Sequence, residues 1–395
     1  MIFIFKSSAA TPTEADLNKD GVVNLTDLSI LLTNFNGTNA TADINHSGKV
    51  DLTDLSLLLS NYGKTVSVTP PPTTPPPTTP PPTTPPPTIP PPPPAGILFG
   101  AAVEPDYLDD DKYAQTLIDY KFDSLSPENA MKFAPLEGSR GQFNFGPADK
   151  IVNFAQEHNM RMRGHTLVWH IEVPGWVDGL SNAEAASALE NHIKQVVGHY
   201  KGKVKQWDVV NEALEDDGSL RDTVWKQKLG DSYIEQAFKW AREADPNAQL
   251  CYNDFGMESA GTMSDGNNLA PKSDAVLAMV KDFKARGIPI DCVGLQTHSF
   301  GDYPGRGADL LANMKRLGEA GVKVEITELD SELGADRYAE IGKACKDSGY
   351  CTGVTTWGLQ DSTSYRNDNP LLFDSNLNPK PAYAALMDAI GHAKK

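Results

Sequence analysis

The sequence has 395 residues, enough for a barrel domain of about 250 to 300 residues and a smaller second domain. Its net charge of −17 excludes proteins that bind nucleic acid through a basic surface, and it disfavours an anionic membrane as partner. No run of 18 apolar residues is present, so no membrane-spanning helix is predicted. The composition favours a protein that acts on a neutral ligand.

The first residues, Met1 to Ala10, resemble the end of a signal peptide, but they have no basic start and few apolar residues. They are interpreted either as a truncated export signal or as a cloning scar. The leader segment is placed at residues 1–13.

One unit then occurs twice, 27 residues apart. Each copy has oxygen-bearing side chains at loop positions 1, 3, 5, 9 and 12 and glycine at position 6, followed by an apolar helical run. This pattern is typical of a calcium loop, with Asp instead of Glu at position 12. Two solvated Asn/Asp turns would not explain the match between the copies. The predicted ligands are Asp16, Asn18, Asp20, Asn24 and Asp27 in the first loop and Asp43, Asn45, Ser47, Asp51 and Asp54 in the second.

The paired loops and helices resemble a dockerin domain over residues 14–64. The resemblance implies a small all-α domain that folds around two Ca²⁺ ions and binds a cohesin domain on a partner. Loop positions 10 and 11, Leu25-Thr26 and Leu52-Thr53, are the same in both copies, so the resemblance implies a two-fold-like binding face. Ser47 replaces a carboxylate and is expected to weaken the second site. So small a domain has little apolar core, and metal binding is expected to stabilise it.

Residues 65–95 are rich in Pro and Thr, in the repeat Pro-Pro-Pro-Thr-Thr. Proline fixes φ and removes backbone donors, so the Pro/Thr run between Thr69 and Pro94 is predicted to be a semi-rigid polyproline II linker of roughly 80 Å.

From residue 96 to residue 395, short apolar runs alternate with helical patterns. Eight such units predict an α/β fold, a (β/α)₈ TIM barrel. A doubly wound sheet is the alternative, but no glycine-rich phosphate loop follows the first strand. The predicted strands are 97–103, 122–125, 161–168, 204–210, 249–252, 291–296, 323–327 and 352–357.

Polar or aromatic residues end every predicted strand, which indicates one polar cleft with aromatic surfaces, suited to carbohydrate. The stretch Trp207–Ala213 is a buried strand that ends in Asn211 and Glu212, and Glu328 ends the seventh strand in the same way. A carboxylate at the tip of an apolar strand is expensive to bury and belongs at the mouth of the sheet. The two glutamates therefore suggest the carboxylate pair of a glycosidase.

Six motifs resemble glycoside hydrolase family 10, and they occur in family order over residues 97–390. The resemblance implies a retaining endo-β-1,4-xylanase that acts on xylan or xylo-oligosaccharides without a catalytic cofactor. By the same resemblance Glu212 is the acid/base and Glu328 the nucleophile. The motifs are Pro127-Glu128-Asn129-Ala130-Met131-Lys132, Arg163-Gly164-His165-Thr166-Leu167-Val168-Trp169-His170, Trp207-Asp208-Val209-Val210-Asn211-Glu212, Gly294-Leu295-Gln296-Thr297-His298, Ile326-Thr327-Glu328-Leu329-Asp330 and Thr356-Trp357-Gly358.

The resemblance also assigns supporting roles. Asn211 is expected to bond the sugar 2-hydroxyl, while His298 and Asp330 orient the nucleophile. The predicted substrate-binding residues are Glu128, Asn129, Lys132, His165, Trp169, Gln296, Trp357 and Tyr365. Three residues depart from the family pattern and are expected to alter subsites rather than the reaction. They are Glu172 in place of glutamine, Phe255 in place of tyrosine and Tyr365 in place of tryptophan.

All four cysteines lie in the last 145 residues, and none forms a C-x-x-C pair, which disfavours zinc. Two disulfides in an oxidising compartment are favoured over buried thiols. The family resemblance implies the pairs Cys251–Cys292 and Cys345–Cys351.

Two other functions remain open at this point: a β-1,4-glucanase of the same clan, and an assembly subunit whose barrel has lost activity. The intact glutamate pair and its polar neighbours disfavour the second. The expected location is extracellular, on the cell surface or in a multienzyme complex. The catalytic domain is expected to be monomeric.

Overall fold

The computed structural model describes residues 11–19, 22–65, 96–259, 270–299 and 306–393. They fall into two compact units, within residues 1–89 and 90–395. Most of the predicted leader, the predicted linker beyond residue 65, and the predicted ligand Asp20 lie outside the described residues.

The N-terminal unit contains helices α1 (Pro12–Ala15), α2 (Leu25–Thr33) and α3 (Leu52–Asn61). The 27-residue repeat is visible in its backbone pairing. The N–H group of Val23 donates to the carbonyl of Lys64 at 3.0 Å, and that of Val50 donates to the carbonyl of Gly37 at 2.9 Å. Because Val23 and Val50 are both fully buried, each loop contributes one equivalent apolar residue to the small core.

The C-terminal unit is a closed barrel of eight parallel strands. Each strand pairs with the next along the chain, and the eighth pairs with the first. The strands are β1 (Leu98–Val103), β2 (Ser124–Pro127), β3 (Arg161–Gly164), β4 (Val204–Asn211), β5 (Gln249–Asp254), β6 (Cys292–Leu295), β7 (Lys323–Ser331) and β8 (Cys351–Thr356). A two-residue strand, His298–Ser299, pairs with the end of β7.

Helices surround the barrel and cover the apolar faces of the strands. They are α4 (Asp111–Asp119), α5 (Phe133–Leu136), α6 (Gly146–Glu157), α7 (Asn182–His199), α8 (Val224–Leu229), α9 (Tyr233–Ala244), α10 (Pro271–Arg286), α11 (Arg306–Glu319), α12 (Gly334–Ser348) and α13 (Pro381–Ile390). Short 3₁₀ helices lie at Pro105–Asp109, Gly175–Val177 and Asp361–Thr363. Within the described ranges, no helix is both long enough and apolar enough to span a membrane.

The predicted (β/α)₈ barrel is confirmed, and the strand that falls furthest short of its predicted range is β3, expected at 161–168. Strand β3 ends at Gly164, and only Val168 pairs again, in a single bridge to Val210. Gly164 is required by packing, since a Cβ atom there would lie 2.2 Å from the ring of Trp207. The fully buried Trp207 side chain therefore occupies the space beside β3.

Both predicted disulfides are present. Cys251 and Cys292 are directly paired in register on β5 and β6. Cys345 and Cys351 join α12 to the start of β8, so both cross-links stabilise the second half of the barrel.

Candidate active site

Glu212 follows the last residue of β4 and is half-buried. Its carboxylate accepts three hydrogen bonds: from Nε1 of Trp169 at 2.9 Å, from Nε2 of Gln296 at 2.9 Å and from Nδ2 of Asn211 at 3.1 Å. These donors come from three different segments. The position of Glu212 is therefore fixed by the barrel mouth as a whole.

Glu328 lies within β7 and is 4% exposed. Its Oε1 atom accepts a hydrogen bond from Nδ2 of Asn253 at 2.7 Å, and its Oε2 atom lies 3.2 Å from Nε2 of His298. Burial opposes the charged form, but the His298 hydrogen bond, the nearby charge of His165 and the Asn253 hydrogen bond outweigh it. The pKa of Glu328 therefore lies below its ordinary value.

His298 connects Glu328 to a second carboxylate. Its Nδ1 atom lies 3.0 Å from Oδ2 of Asp330, and the other oxygen of Asp330 accepts from Arg366 at 2.8 Å. Burial disfavours the charged ring, but the hydrogen bonds to Asp330 and Glu328 raise the pKa of His298 to about 10. At neutral pH His298 is thus a cation between two carboxylates.

Asn253 links the two glutamates. Its Nδ2 group donates both to Glu328 and, at 2.8 Å, to Oδ1 of Asn211, while its Oδ1 atom accepts from the hydroxyl of Thr327 at 2.7 Å. Asn211 in turn donates to Glu212. One hydrogen-bond network therefore runs from Glu212 to Glu328 across β4, β5 and β7.

A second cluster lies beside Trp169. Nζ of Lys132 donates to Oδ1 of Asn129 at 2.7 Å and lies 4.7 Å from the centre of the Trp169 ring. Asn129 donates to Glu104. Burial, followed by the negative charge of Glu104, raises the pKa of Glu128 to about 8 although Lys132 opposes the shift. The Glu128 carboxyl is therefore protonated at neutral pH and can donate a hydrogen bond.

His165 is buried with its Nδ1 atom 3.0 Å from Oδ2 of Asp208. Asp208 also accepts from the guanidinium group of Arg163. The ring of His165 packs edge-on against that of Trp357, with 5.1 Å between centres. Trp357 is only partly buried, so its ring can contact a bound molecule.

The three departures from the family pattern lie in different surroundings. Tyr365 is 60% exposed, and its hydroxyl lies 3.3 Å from Nδ1 of His298. Phe255 lies under Nζ of Lys272, which is 3.7 Å from the ring centre. Glu172 has an exposed side chain and a left-handed backbone, with φ of 54°.

The structure brings most of the predicted site residues into two hydrogen-bonded groups that meet at Trp169. The roles of Asn253 and Arg366 in the first group and of Glu104 in the second were not predicted, nor was that of Asp208, which lies outside both groups as the partner of His165. Asn253 and Glu104 directly follow the predicted strands 249–252 and 97–103, and this position was the one signal for them. Asp208 lies inside a buried strand and within a motif that gave it no role of its own, and Arg366 lies in a loop that none of the six motifs includes.

The two predicted calcium loops hold buried carboxylates. Asp27 and Asp54 are fully buried and Asp43 is 5% exposed. Asp27 accepts from the N–H groups of Leu17 and Asn24, and Asp54 from those of Asn45 and Asp51. Among the described residues, none of the three forms an ion pair with Lys, Arg or His. Such buried negative charge requires a positive partner, which fits a cation.

The individual metal ligands remain predictions. In the described part of the chain, no three His, Cys, Asp or Glu side chains are gathered as a ligand set. Each predicted loop set also includes Asn or Ser oxygens, which are ordinary calcium ligands.

A parallel barrel with paired carboxylates and aromatic rings at the carboxyl ends of its strands defines a glycoside hydrolase. Residues 93–389 match the family model of glycosyl hydrolase family 10, and residues 14–62 match the dockerin type I domain. The chain belongs to glycosyl hydrolase family 10 and carries a type I dockerin domain. Both predicted resemblances are confirmed.

The chain is similar to named xylanases along most of its barrel. Endo-1,4-beta-xylanase 3 of Hypocrea jecorina is 39% identical over 296 residues, which cover 74% of this chain and 82% of that protein. Endo-1,4-beta-xylanase B of Thermotoga neapolitana is 38% identical over 289 residues, covering 68% and 80%. At this level of similarity the predicted enzyme class, endo-1,4-β-xylanase, is confirmed.

Solved structures agree with this similarity. Native xylanase 10B from Thermotoga maritima has a TM-score of 0.68 and 37% identity, covering 75% of this chain and 95% of its own. Xylanase 10B from Thermotoga petrophila RKU-1, in complex with xylobiose, has a TM-score of 0.67 and 36% identity, covering 75% and 94%.

Proposed function

We propose that the barrel hydrolyses internal β-1,4-xylosidic bonds of xylan with retention of configuration, through Glu212 as acid/base and Glu328 as nucleophile. The observation that carries the proposal is the contrast between the two glutamates within one hydrogen-bond network. Glu328 is buried against the His298 cation, which keeps it ionised, whereas Glu212 is half-buried at a strand end.

The reaction has two displacements. First, the Glu328 carboxylate bonds to the anomeric carbon while the bond to the leaving oxygen breaks, and Glu212 gives its proton to that oxygen. A water molecule then attacks the anomeric carbon, its proton passes to Glu212, and the bond to Glu328 breaks. The three N–H donors around Glu212 fit the ionised base of the second step.

The substrate is proposed from the barrel's similarity to xylanases, including one solved with xylobiose. The protonated Glu128 and the Lys132–Asn129 pair can bond sugar hydroxyls, and the partly exposed Trp357 ring can contact an apolar sugar face. Asn211 is proposed to bond the 2-hydroxyl, since it lies between the two glutamates.

Incubation of the full chain with xylan tests this function. Short xylo-oligosaccharides are expected as products, and Glu328→Ala should abolish their release. Xylan should also be cleaved faster than a soluble cellulose derivative, because the extra hydroxymethyl group of glucose would clash near Lys132 and Tyr365. An active Glu328→Ala protein would contradict the assignment of Glu328 as nucleophile. Equal rates on both polymers would favour the alternative function, that of a β-1,4-glucanase.

For the dockerin domain, we propose two bound Ca²⁺ ions and attachment of an extracellular enzyme to a cohesin-bearing partner. The domain would span residues 14–64 and be joined by a linker at 65–95 to a barrel at 96–395. The ion held by each loop would neutralise the buried carboxylates, chiefly Asp27, Asp43 and Asp54.

The full chain is first treated with chelator and then titrated with calcium in a calorimeter. Two binding events are expected. Capture by a panel of immobilised cohesins should be lost in chelator, while xylan hydrolysis by the same sample continues. Cohesin binding that ignores the chelator would contradict a calcium-organised domain.

A further inference from the structure

The backbone of Glu212 is in the left-handed region, with φ of 54°. A residue other than glycine in this region is strained and keeps the conformation only where its surroundings enforce it. The turn starts where β4 ends, and it decides the direction in which the Glu212 side chain leaves the barrel. The groups that enforce the turn therefore also aim the carboxyl group.

The peptide groups of the turn are held from both sides. The N–H group of Glu212 donates to the carbonyl of Asn253 at 2.9 Å, and that of Ala213 donates to the hydroxyl of Tyr252 at 3.1 Å. On the other side, Nε of Arg221 donates to the carbonyl of Glu212 at 3.1 Å. A second guanidinium nitrogen of Arg221 donates to the carbonyl of Leu214, also at 3.1 Å.

The Tyr252 hydroxyl has a fixed orientation. Tyr252 and Asp254 are both fully buried, and the hydroxyl donates to Oδ2 of Asp254 at 2.5 Å. Because its one proton is directed at Asp254, a lone pair is left facing the N–H group of Ala213. The other oxygen of Asp254 accepts the N–H group of Phe255 at 2.9 Å and lies 3.5 Å from the buried Lys272.

We propose that Tyr252 and Arg221 are positioning residues that clamp the left-handed turn at Glu212 and so direct its carboxyl group at the glycosidic oxygen. The inference rests on the proposed acid/base role of Glu212. Neither side chain donates to the glutamate carboxylate itself, so both act through the backbone.

The proposed role of Tyr252 and Arg221 leads to a specific kinetic prediction. A misdirected Glu212 delivers its proton poorly, which slows the first step only for leaving groups that need protonation. Phenyl β-xylobioside has such a leaving group, whereas 2,4-dinitrophenyl β-xylobioside departs as a stable anion. Since kcat/KM reports the first irreversible step, general damage to the site would lower it for both substrates.

Tyr252→Phe and Arg221→Met are each expected to lower kcat/KM on the phenyl substrate about 10- to 100-fold and to keep it within about 3-fold on the dinitrophenyl substrate. Tyr338→Phe is the matched control. Tyr338 is also fully buried, and its hydroxyl donates to the carbonyl of Pro370 at 2.6 Å, away from the turn. Loss of the Tyr338 hydroxyl should change kcat/KM on both substrates by the same factor.

Glu212→Ala separates failure of the clamp from failure of the acid/base role. If Glu212→Ala lowers kcat/KM equally on both substrates, the acid/base role of Glu212 is wrong, and the proposed role of Tyr252 and Arg221 is wrong with it. If Glu212→Ala lowers kcat/KM mainly on the phenyl substrate but Tyr252→Phe and Arg221→Met do not, the acid/base role of Glu212 stands. The proposed positioning role of Tyr252 and Arg221 is then overturned. Thermal melting reports folding. Should Tyr252→Phe not fold, Arg221→Met decides, because the Arg221 side chain is 21% exposed.

Discussion

His298 and Glu328 form a buried pair, with 3.2 Å between Nε2 of the ring and Oε2 of the carboxylate. Although burial opposes it, the hydrogen bonds to Asp330 and Glu328 raise the pKa of His298 to about 10, and the His298 hydrogen bond helps to hold the pKa of Glu328 below its ordinary value. Each group thus favours the charged form of the other. The proposed nucleophile is consequently ionised at neutral pH.

Replacement of His298 by Gln should move the acid limb of the kcat/KM profile to higher pH. The depressed pKa of Glu328 favours its ionised form, which is lost as the pH falls through that pKa. Without the neighbouring cation the pKa of Glu328 rises, so on acidification activity should be lost at a higher pH than in the parent. Initial rates across a pH series measure the shift.

His199→Gln is the control for this profile. His199 lies at the end of α7, on the outside of the barrel, and is paired with Asp149 at 2.8 Å. An acid limb that stays in place in His298→Gln, or moves equally in both variants, would contradict the electrostatic role of His298.

The proton held by Glu128 should make the free energy of unfolding fall as the pH rises. The folded-state pKa of Glu128 is about 8, against an ordinary value of 4.5. Between these values the folded chain holds a proton that the unfolded chain has released, so the free energy of unfolding falls with increasing pH across this window. Glu128→Gln cannot titrate, and its Tm should fall less than that of the parent between about pH 5 and pH 8.

Glu157→Gln, at an exposed position, controls for the loss of one carboxyl. Its Tm should follow that of the parent through the same pH series. Parallel curves for Glu128→Gln and Glu157→Gln would show that Glu128 is not the protonated group.

The two disulfides should contribute unequally to stability. Cys251 and Cys292 are 41 residues apart in sequence, whereas Cys345 and Cys351 are only 6 apart. The longer closed loop removes more entropy from the unfolded chain. Replacement of the first pair by Ala should therefore lower the free energy of unfolding by about 2 kcal/mol more than replacement of the second.

Urea unfolding of the two double variants measures this difference. Peptide mapping of the unreduced parent establishes that both bonds are formed before the comparison. An equal loss of stability, or a larger loss for the Cys345–Cys351 pair, would contradict an effect dominated by loop length.

Strand-scale features were predictable from sequence because they depend on local periodicity. Apolar runs placed the eight strands to within a few residues, and the abrupt polar end of the Trp207–Ala213 stretch identified Glu212. Strand β3 was placed too long, because Leu167 and Val168 continue the apolar pattern after the sheet ends at Gly164. Those two side chains are buried without strand pairing to β2.

Side-chain direction was not predictable, and the supporting residues depend on it. Asn253 directly follows the predicted strand 249–252, but its amide contacts to Asn211 and Glu328 require strands brought together by barrel closure. Arg366 lies 36 residues from Asp330 in sequence and reaches it only because the loop after β8 folds over the barrel mouth. Sequence spacing carries no information about either contact.

Trapping of the covalent intermediate tests the central claim most directly. 2,4-Dinitrophenyl 2-deoxy-2-fluoro-β-xylobioside should react with the full chain. The fluorine slows both displacements, but the activated leaving group speeds the first, so the covalent intermediate accumulates. Peptide mass spectrometry is expected to locate the fluoro-xylobiosyl group on Glu328. A label on Glu212 or on any other residue, or an intact unlabelled enzyme that releases the inverted anomer, would contradict the proposed mechanism.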